Sequence, residues 1–329
     1  MAPSPIPPAP IAHAVSNQAP DRGDPLGRLP GPMRVAVWMT LAGLAFAVMG
    51  GLIKFAARDL HPFEVAFLRC FFGLLWMAPW LLRHGPRALR TRKLPLYTAR
   101  AAFGLVGMLA GFYALRYIAL ADATALSFTA PLFATIGAAL ILRETVRRRR
   151  WTATGLGFVG VLIILRPGAT TVDPAALWTL LAAATTAANM LIVKRLTDTE
   201  PTEAVVTWMV VMMTPMTLVA ALPFWEWPSP TQIGIAAAIG LCGTLGHLAV
   251  TRGFAAGEAS LVTSFDYLRM PFAAAIGWMA FGEVPTLWTF LGAAVIAGSA
   301  AYIAHREATL TRAARRRAAR ERLALSEPD

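Results

Sequence analysis

Seven polar side chains stand where the sequence otherwise supplies apolar material. Arg69 lies in FEVAFLRCFFGLL, Tyr113 in AGFYALRY, Asn189 in ATTAANMLIV, His247 in GTLGHLAV, and Asp266, Tyr267 and Arg269 in TSFDYLRMP. An ionisable group at the centre of a membrane helix costs roughly 2.5–3.5 kcal/mol on insertion scales, so each must face a partner or a wet cavity. Asp266 and Arg269 are spaced i, i+3 and can pair. The pair is structurally sufficient by itself. In a binding site, Asp266 would take an ammonium or a proton, Arg269 a carboxylate, and Tyr267 would add an aromatic face and a hydroxyl. Arg69, two turns into its segment, either anchors an anionic group, pairs with Glu64, or snorkels to the interface. His247, the one histidine at depth, can titrate near neutrality or hydrogen-bond a neighbouring helix. Asn189, with Thr185 and Thr186, can line a pore or bridge two helices; Tyr113 is of the same kind. Trp38 and Trp178 pack or anchor at the interface, or floor a cavity for a planar ligand. Pro131 and Pro271 sit near mid-segment, where a proline removes a backbone hydrogen bond and bends the helix; they are the candidate hinges.

These residues need an apolar scaffold, and the composition supplies one. The 329 residues are 57% hydrophobic and only 15% charged, against about 45–50% and 25% in soluble domains. Ten runs can cross a bilayer as helices, at 33–54, 63–82, 99–118, 122–142, 151–167, 174–193, 203–224, 232–251, 258–281 and 285–304. They are continuous rather than alternating, which excludes a β-barrel. The fold class expected is an all-α polytopic membrane protein.

The net charge of +12 reports orientation rather than nucleic-acid binding, since no solvated basic face is left over. With both termini cytoplasmic, the inner side collects Arg22, Arg28, Arg34, the Arg83–Arg100 cluster, Arg143, Arg147–Arg150, Lys194, Arg195, Arg252 and the tail arginines. The outer side keeps Lys54, Arg58, Arg116 and Arg166. Positive loops stay inside, so a bacterial inner-membrane location with both ends cytoplasmic is expected. Residues 1–32, rich in proline, read as a disordered cytoplasmic extension, and residues 305–329 as a basic cytoplasmic tail on the inner leaflet. Cys70 and Cys242 both lie in apolar runs and build no disulfide framework.

The chain also repeats itself. Gly104, Gly107, Arg116, Asp122, Ala123 and Thr124 return as Gly240, Gly243, Arg252, Glu258, Ala259 and Ser260. Trp38, Leu41, Ala42, Ala47 and Lys54 return as Trp178, Leu181, Ala182, Ala187 and Lys194; Pro131 returns as Pro271 and Glu144 as Glu283. Five helices per copy is an odd number, so the second copy would enter the bilayer from the opposite side. Secondary transporters use such inverted halves around a site near the midplane.

The stretches GFYALRYIALADATALSFTAPLFATIGAALILRETVRRRRWTATGLGFVGVLIILRPG (111–168) and GEASLVTSFDYLRMPFAAAIGWMAFGEVPTLWTFLGAAVIAGSAAYI (257–303) resemble the two repeats of the EamA-like family of the drug/metabolite transporter superfamily. The resemblance implies ten helices as two repeats, 33–168 and 173–304, in an inner-membrane carrier of a small-molecule substrate that does not hydrolyse ATP. It leaves the substrate unassigned. The string Gly155-Leu-Gly157-Phe-Val-Gly160 matches a dinucleotide fingerprint formally but has no strand before it, and small residues in an apolar run serve close helix packing. No catalytic motif, cofactor or metal site is expected. A homodimer stays open, and a membrane scaffold or receptor that recruits a partner through the basic tail is the alternative function.

Overall fold

In the computed structural model the chain is described over residues 29–85, 89–140, 148–166, 173–197, 199–257 and 259–299, with Leu26 and a few positions after 300 besides. The N-terminal extension before Leu26, most of the basic tail, Glu144, Glu258, Arg143 and Arg147 lie outside the described residues. The described residues form helices and no strand. They are α1 (Gly31–Ala56), α2 (Pro62–His84), α3 (Leu94–Tyr117), α4 (Leu120–Ser127), α5 (Ala130–Leu140), α6 (Arg148–Leu165), α7 (Pro174–Thr197), α8 (Thr202–Ala221), α9 (Pro230–Ala256), α10 (Ala259–Asp266), α11 (Arg269–Phe281) and α12 (Leu287–Ser299). Counting α4–α5 and α10–α11 as one pass each gives ten. Among the described residues seven passes are long and apolar enough to cross a membrane outright; Trp151–Leu165 and Leu287–Ser299 are shorter apolar helices.

The ends of these helices are written locally. Proline occupies the first or second position of α1, α2, α3 and α9, where its missing N–H has no intrahelical partner to lose. Asp173 Oδ1 accepts from the Ala175 N–H at 2.8 Å and opens α7. Ser229 and Gln232 form a reciprocal capping box on α9. At the end of α11 Gly282 takes φ +68°, a left-handed turn that glycine adopts without steric cost. That turn returns the chain so that Glu283 N–H bonds the Gly277 carbonyl at 3.1 Å.

The fourth and ninth passes are the exceptions to continuity. Each breaks upstream of its proline, at Phe128–Thr129 before Pro131 and at Tyr267–Leu268 before Pro271. Both prolines therefore lie in the first turn of the second segment rather than at a mid-helix bend. Proline cannot donate to the carbonyl four residues back, and hydroxyls supply donors to carbonyls around the first break: Ser127 Oγ to Thr124 O at 2.7 Å and Thr129 Oγ1 to Leu126 O at 2.7 Å. Irregular backbone at membrane depth persists only where protein or a cavity covers it.

Packing pairs α1 most extensively with α9, and α3 with α7. Small residues permit the approach. A Cβ on Gly160 of α6 would stand 2.8 Å from the Gly292 carbonyl of α12, and one on Gly292 2.6 Å from the Gly160 carbonyl. The glycine string of α6 is thus a helix-packing surface. Two lysines at the ends of α1 and α7 act alike. Lys54 Nζ donates to the Ile118 carbonyl just past α3 at 2.6 Å, and Lys194 Nζ donates to the Phe254 carbonyl near the end of α9 at 2.9 Å. Lys54 also pairs with Glu283 Oε1 at 2.5 Å, while Glu283 Oε2 accepts from the Leu120 N–H at 2.9 Å at the start of α4. Asp122, in the first turn of α4, accepts from Thr289 Oγ1 of α12 at 2.6 Å.

Candidate functional site

The helices enclose a central cavity of about 360 Å³, within the range of small-molecule sites. Helices from both halves of the chain contribute to its wall. Of the seven polar residues singled out by position, Arg69, Asn189, His247, Asp266, Tyr267 and Arg269 line it, and Tyr113 does not. Tyr113 lies on another face of α3, its ring 5.0 Å from that of Tyr117 and 5.6 Å from that of Trp178. Pro131 borders the cavity and Pro271 does not. Neither Trp38 nor Trp178 floors it; Trp38 is buried under the Arg252 guanidinium, 4.9 Å above its ring.

The two broken passes meet here. Arg269 Nη2 donates to Ser127 Oγ at 2.6 Å, and its guanidinium lies 5.7 Å from the Phe128 ring centroid. Tyr267 packs edge-on against Phe128 at 4.9 Å. Asp266 closes α10 and Arg269 opens α11, so the i, i+3 pair spans a break instead of one helical turn. Its Nη2–Oδ2 distance is 3.8 Å, longer than the Ser127 contact. The strongest bond of Arg269 thus runs to the other half of the chain.

Helices α2, α3 and α9 supply another part of the wall. Arg69 is 3% exposed, and among the described residues its Nη1 contacts only the sulfurs of Cys70 and Met108, both at 3.6 Å. It does not pair with Glu64, whose Oε2 accepts from the Glu226 N–H at 3.4 Å. A Cβ on Gly243 would stand 2.8 Å from Arg69 Nε, so glycine is what lets the guanidinium lie flat on α9. His247 sits edge-on to Phe46 at 5.2 Å and its ring makes no hydrogen bond among the described residues.

Arg100 is the member that sequence reading missed. It was grouped with the cytoplasmic loop, because the apolar run begins beside it. The helix starts earlier, at Leu94, which carries Arg100 nearly two turns inside, where it is 3% exposed and lines the cavity. Its Nη1 donates to the Val205 carbonyl at 2.5 Å and its Nη2 contacts Met209 Sδ at 3.5 Å. Asn189, with its amide oriented to satisfy both neighbours, donates to the Arg100 carbonyl and accepts from the Gly104 N–H, both at 3.1 Å. It bridges α7 to the backbone of α3, and this consumes its strongest donor and acceptor.

The rest of the wall is soft and apolar: six methionines (Met39, Met49, Met108, Met190, Met209 and Met213), together with Phe46, Phe112, Phe128 and Phe254. Methionine adapts its shape and makes favourable contacts with aromatic rings. No group of three or more His, Cys, Asp or Glu able to hold a metal occurs among the described residues. The arrangement can bind and orient a small molecule with a flat apolar body and polar ends.

A ten-pass helical molecule built around such a chamber invites comparison with known carriers. The model of the EamA-like transporter family matches residues 33–166 and again 173–304. This chain belongs to the EamA-like transporter family. The EamA-like chain is 34% identical over 286 residues to a riboflavin transporter of Vibrio cholerae, covering 85% of this chain and 96% of the relative. It is 27% identical over 270 residues to an S-adenosylmethionine uptake transporter of Rickettsia prowazekii, covering 82% and 92%. A solved structure titled only as a crystal structure of a protein shares the fold at TM-score 0.58 with 18% identity, covering 82% of this chain and 98% of that one. The EamA-like chain is therefore a multi-pass membrane transporter of a small metabolite, and not an enzyme.

Proposed function

We propose that this chain is a secondary carrier in the bacterial inner membrane that moves a planar heteroaromatic metabolite, of the flavin kind, by alternating access between two inverted repeats. The observation that carries the reading is the cavity shared by both halves, walled by methionine and aromatic side chains and with polar groups contributed by several helices. Such walls suit a flat ring system with hydrogen-bonding edges. The charge of the cavity favours a flavin over the S-adenosylmethionine of the second relative. Among its described lining residues Arg69, Arg100 and Arg269 face one carboxylate, Asp266, and a sulfonium cation would be repelled.

Alternating access finds support in matched contacts. The α1–α9 and α3–α7 interfaces exchange under the repeat correspondence, as do Lys54 on the end of α3 and Lys194 on the end of α9. Toward the cytoplasmic ends of their helices, Met39, Val193, Phe254 and Val262 close one side of the cavity. Gly50, Ile53, Phe112 and Leu115 line the other side. Rocking one bundle against the other would open these two sides in turn.

Purified protein in liposomes should take up a flavin, riboflavin or an anionic derivative of it, down its gradient and in a saturable manner. Asp266→Asn and Arg269→Ala should each lower that rate at least tenfold while the protein still reaches the membrane. Normal transport by both variants would overturn the site. No uptake of any flavin by the wild-type chain, in either direction, would overturn the substrate class.

A further inference from the structure

We infer that Arg69 and Arg100 form an anion-binding pole in the cavity, so that the metabolite carried bears a carboxylate or phosphate group at one end. The inference rests on the carrier reading above and narrows its substrate class. Both guanidinium groups are almost fully buried, and among the described residues neither has a carboxylate within ion-pair distance. The one acidic residue in the described lining, Asp266, stands beside Arg269 on another wall. Among the described residues Arg100 has a single oxygen acceptor, the Val205 carbonyl. Arg69 has none among them: its two contacts are to sulfur, a weak acceptor for a charged donor.

A buried cation without a counter-charge is among the more expensive arrangements a membrane protein can hold. Here two of them line one cavity, together with His247. Structural need does not account for the arrangement. Two apolar residues would pack α2 and α3 without that penalty, and Gly243 keeps the space that holds Arg69 flat against α9. What the pair supplies is a set of unused N–H donors in fixed forks, aimed at a chamber. Guanidinium groups bind carboxylate and phosphate oxygens in just such bidentate geometry. The methionine-rich wall beside them then takes the flat body of the same molecule.

The test compares ligands that differ only in charge. Full-length protein in lipid nanodiscs is titrated with riboflavin, with riboflavin 5′-phosphate, and with a carboxymethyl-substituted flavin of the same ring system, each in the presence and absence of chloride or inorganic phosphate. At least one anionic flavin should bind tenfold or more tightly than riboflavin. The affinity ratio of anionic to neutral flavin should fall toward one in Arg69→Gln and in Arg100→Gln, and be partly retained in Arg69→Lys, which keeps the charge but loses the fork. Equal affinity for neutral and anionic flavins in the wild type overturns the anion pole and leaves the carrier reading standing. So does millimolar chloride or phosphate that occupies the site with no organic anion preferred. Binding of no flavin of any charge overturns both. If Gln variants fail to fold, the wild-type ratio and the Lys variant still decide.

Discussion

At the residue scale the cavity depends on a few atoms that have no substitute. Gly243 is the clearest. Its missing side chain leaves the 2.8 Å in which Arg69 Nε lies, so Gly243→Ala must push the guanidinium away from α9. We expect about a tenfold rise in the KM for the proposed flavin substrate, corresponding to about 1.4 kcal/mol, with little change in the amount of folded protein. Gly234, also in α9, has open space where a Cβ would stand, and Gly234→Ala serves as the control with unchanged KM. Equal behaviour of the two variants would show that Arg69 does not depend on this close approach. Ser127 makes a comparable point from the other wall: a small hydroxyl, unremarkable in sequence, is the shortest hydrogen-bonding partner of Arg269.

At the element scale the ends of three helices are tied by one carboxylate. Glu283 receives Lys54 of α1 and the first N–H of α4, so it joins the end of α11 to two other elements. Glu283→Gln keeps a hydrogen-bonding oxygen but removes the charge opposite Lys54. Hydrogen bonds to charged groups contribute about 1.5–3 kcal/mol, and a fall in Tm by several degrees in detergent is expected. If the tie also holds the outer side shut, the variant should exchange substrate faster as well; an unchanged Tm would mean that the tie carries no stability.

A second element, the turn before α2, is expected to respond to pH. His61 precedes α2, accepts the Phe63 N–H on Nδ1 at 3.3 Å, and stacks on Phe224 at 3.8 Å. Burial, and then the charge of Arg116, lower its pKa from the ordinary 6.5. A base whose pKa is depressed on folding stabilises the fold as the neutral form: the contribution is complete above pH 6.5 and is lost as pH falls through the lower folded value. The protection factor of the Leu222–Phe224 turn, exchange corrected for its intrinsic pH dependence, should therefore fall as the pH drops below 6.5, and His61→Phe should abolish the dependence. A constant protection factor from pH 7 to 5 would contradict it.

At the scale of the whole molecule the proposed orientation can be read directly. Arg90 and Asp59 are exposed on connections that the positive-inside pattern assigns to opposite sides. In a Cys242→Ser background, Asp59→Cys should react with a membrane-impermeant thiol reagent added outside intact spheroplasts. Arg90→Cys should react only after permeabilisation, since Cys70 is buried and silent. The reverse pattern would invert the topology, and labelling of both from outside would break the odd count of helices per half on which inversion depends.

Much of this architecture was legible in one dimension. The bilayer demands long apolar helices, so composition alone revealed the passes, and internal repetition indicated their pairing by family. Polarity at membrane depth marked six of the residues that line the chamber, because a polar group there needs a reason. Tyr113 shows the limit of that rule: depth along a helix says nothing about which face a side chain takes, and its neighbours Gly111 and Phe112 line the cavity where it does not. Arg100 shows the converse, since a helix that begins before its apolar run hides a buried cation among loop charges. The meeting of the two helix breaks through Arg269 and Ser127 joins residues far apart in the chain. Sequence determines which helices form and what they cost to insert; only their packing, through contacts between distant residues, decides which polar groups share one space.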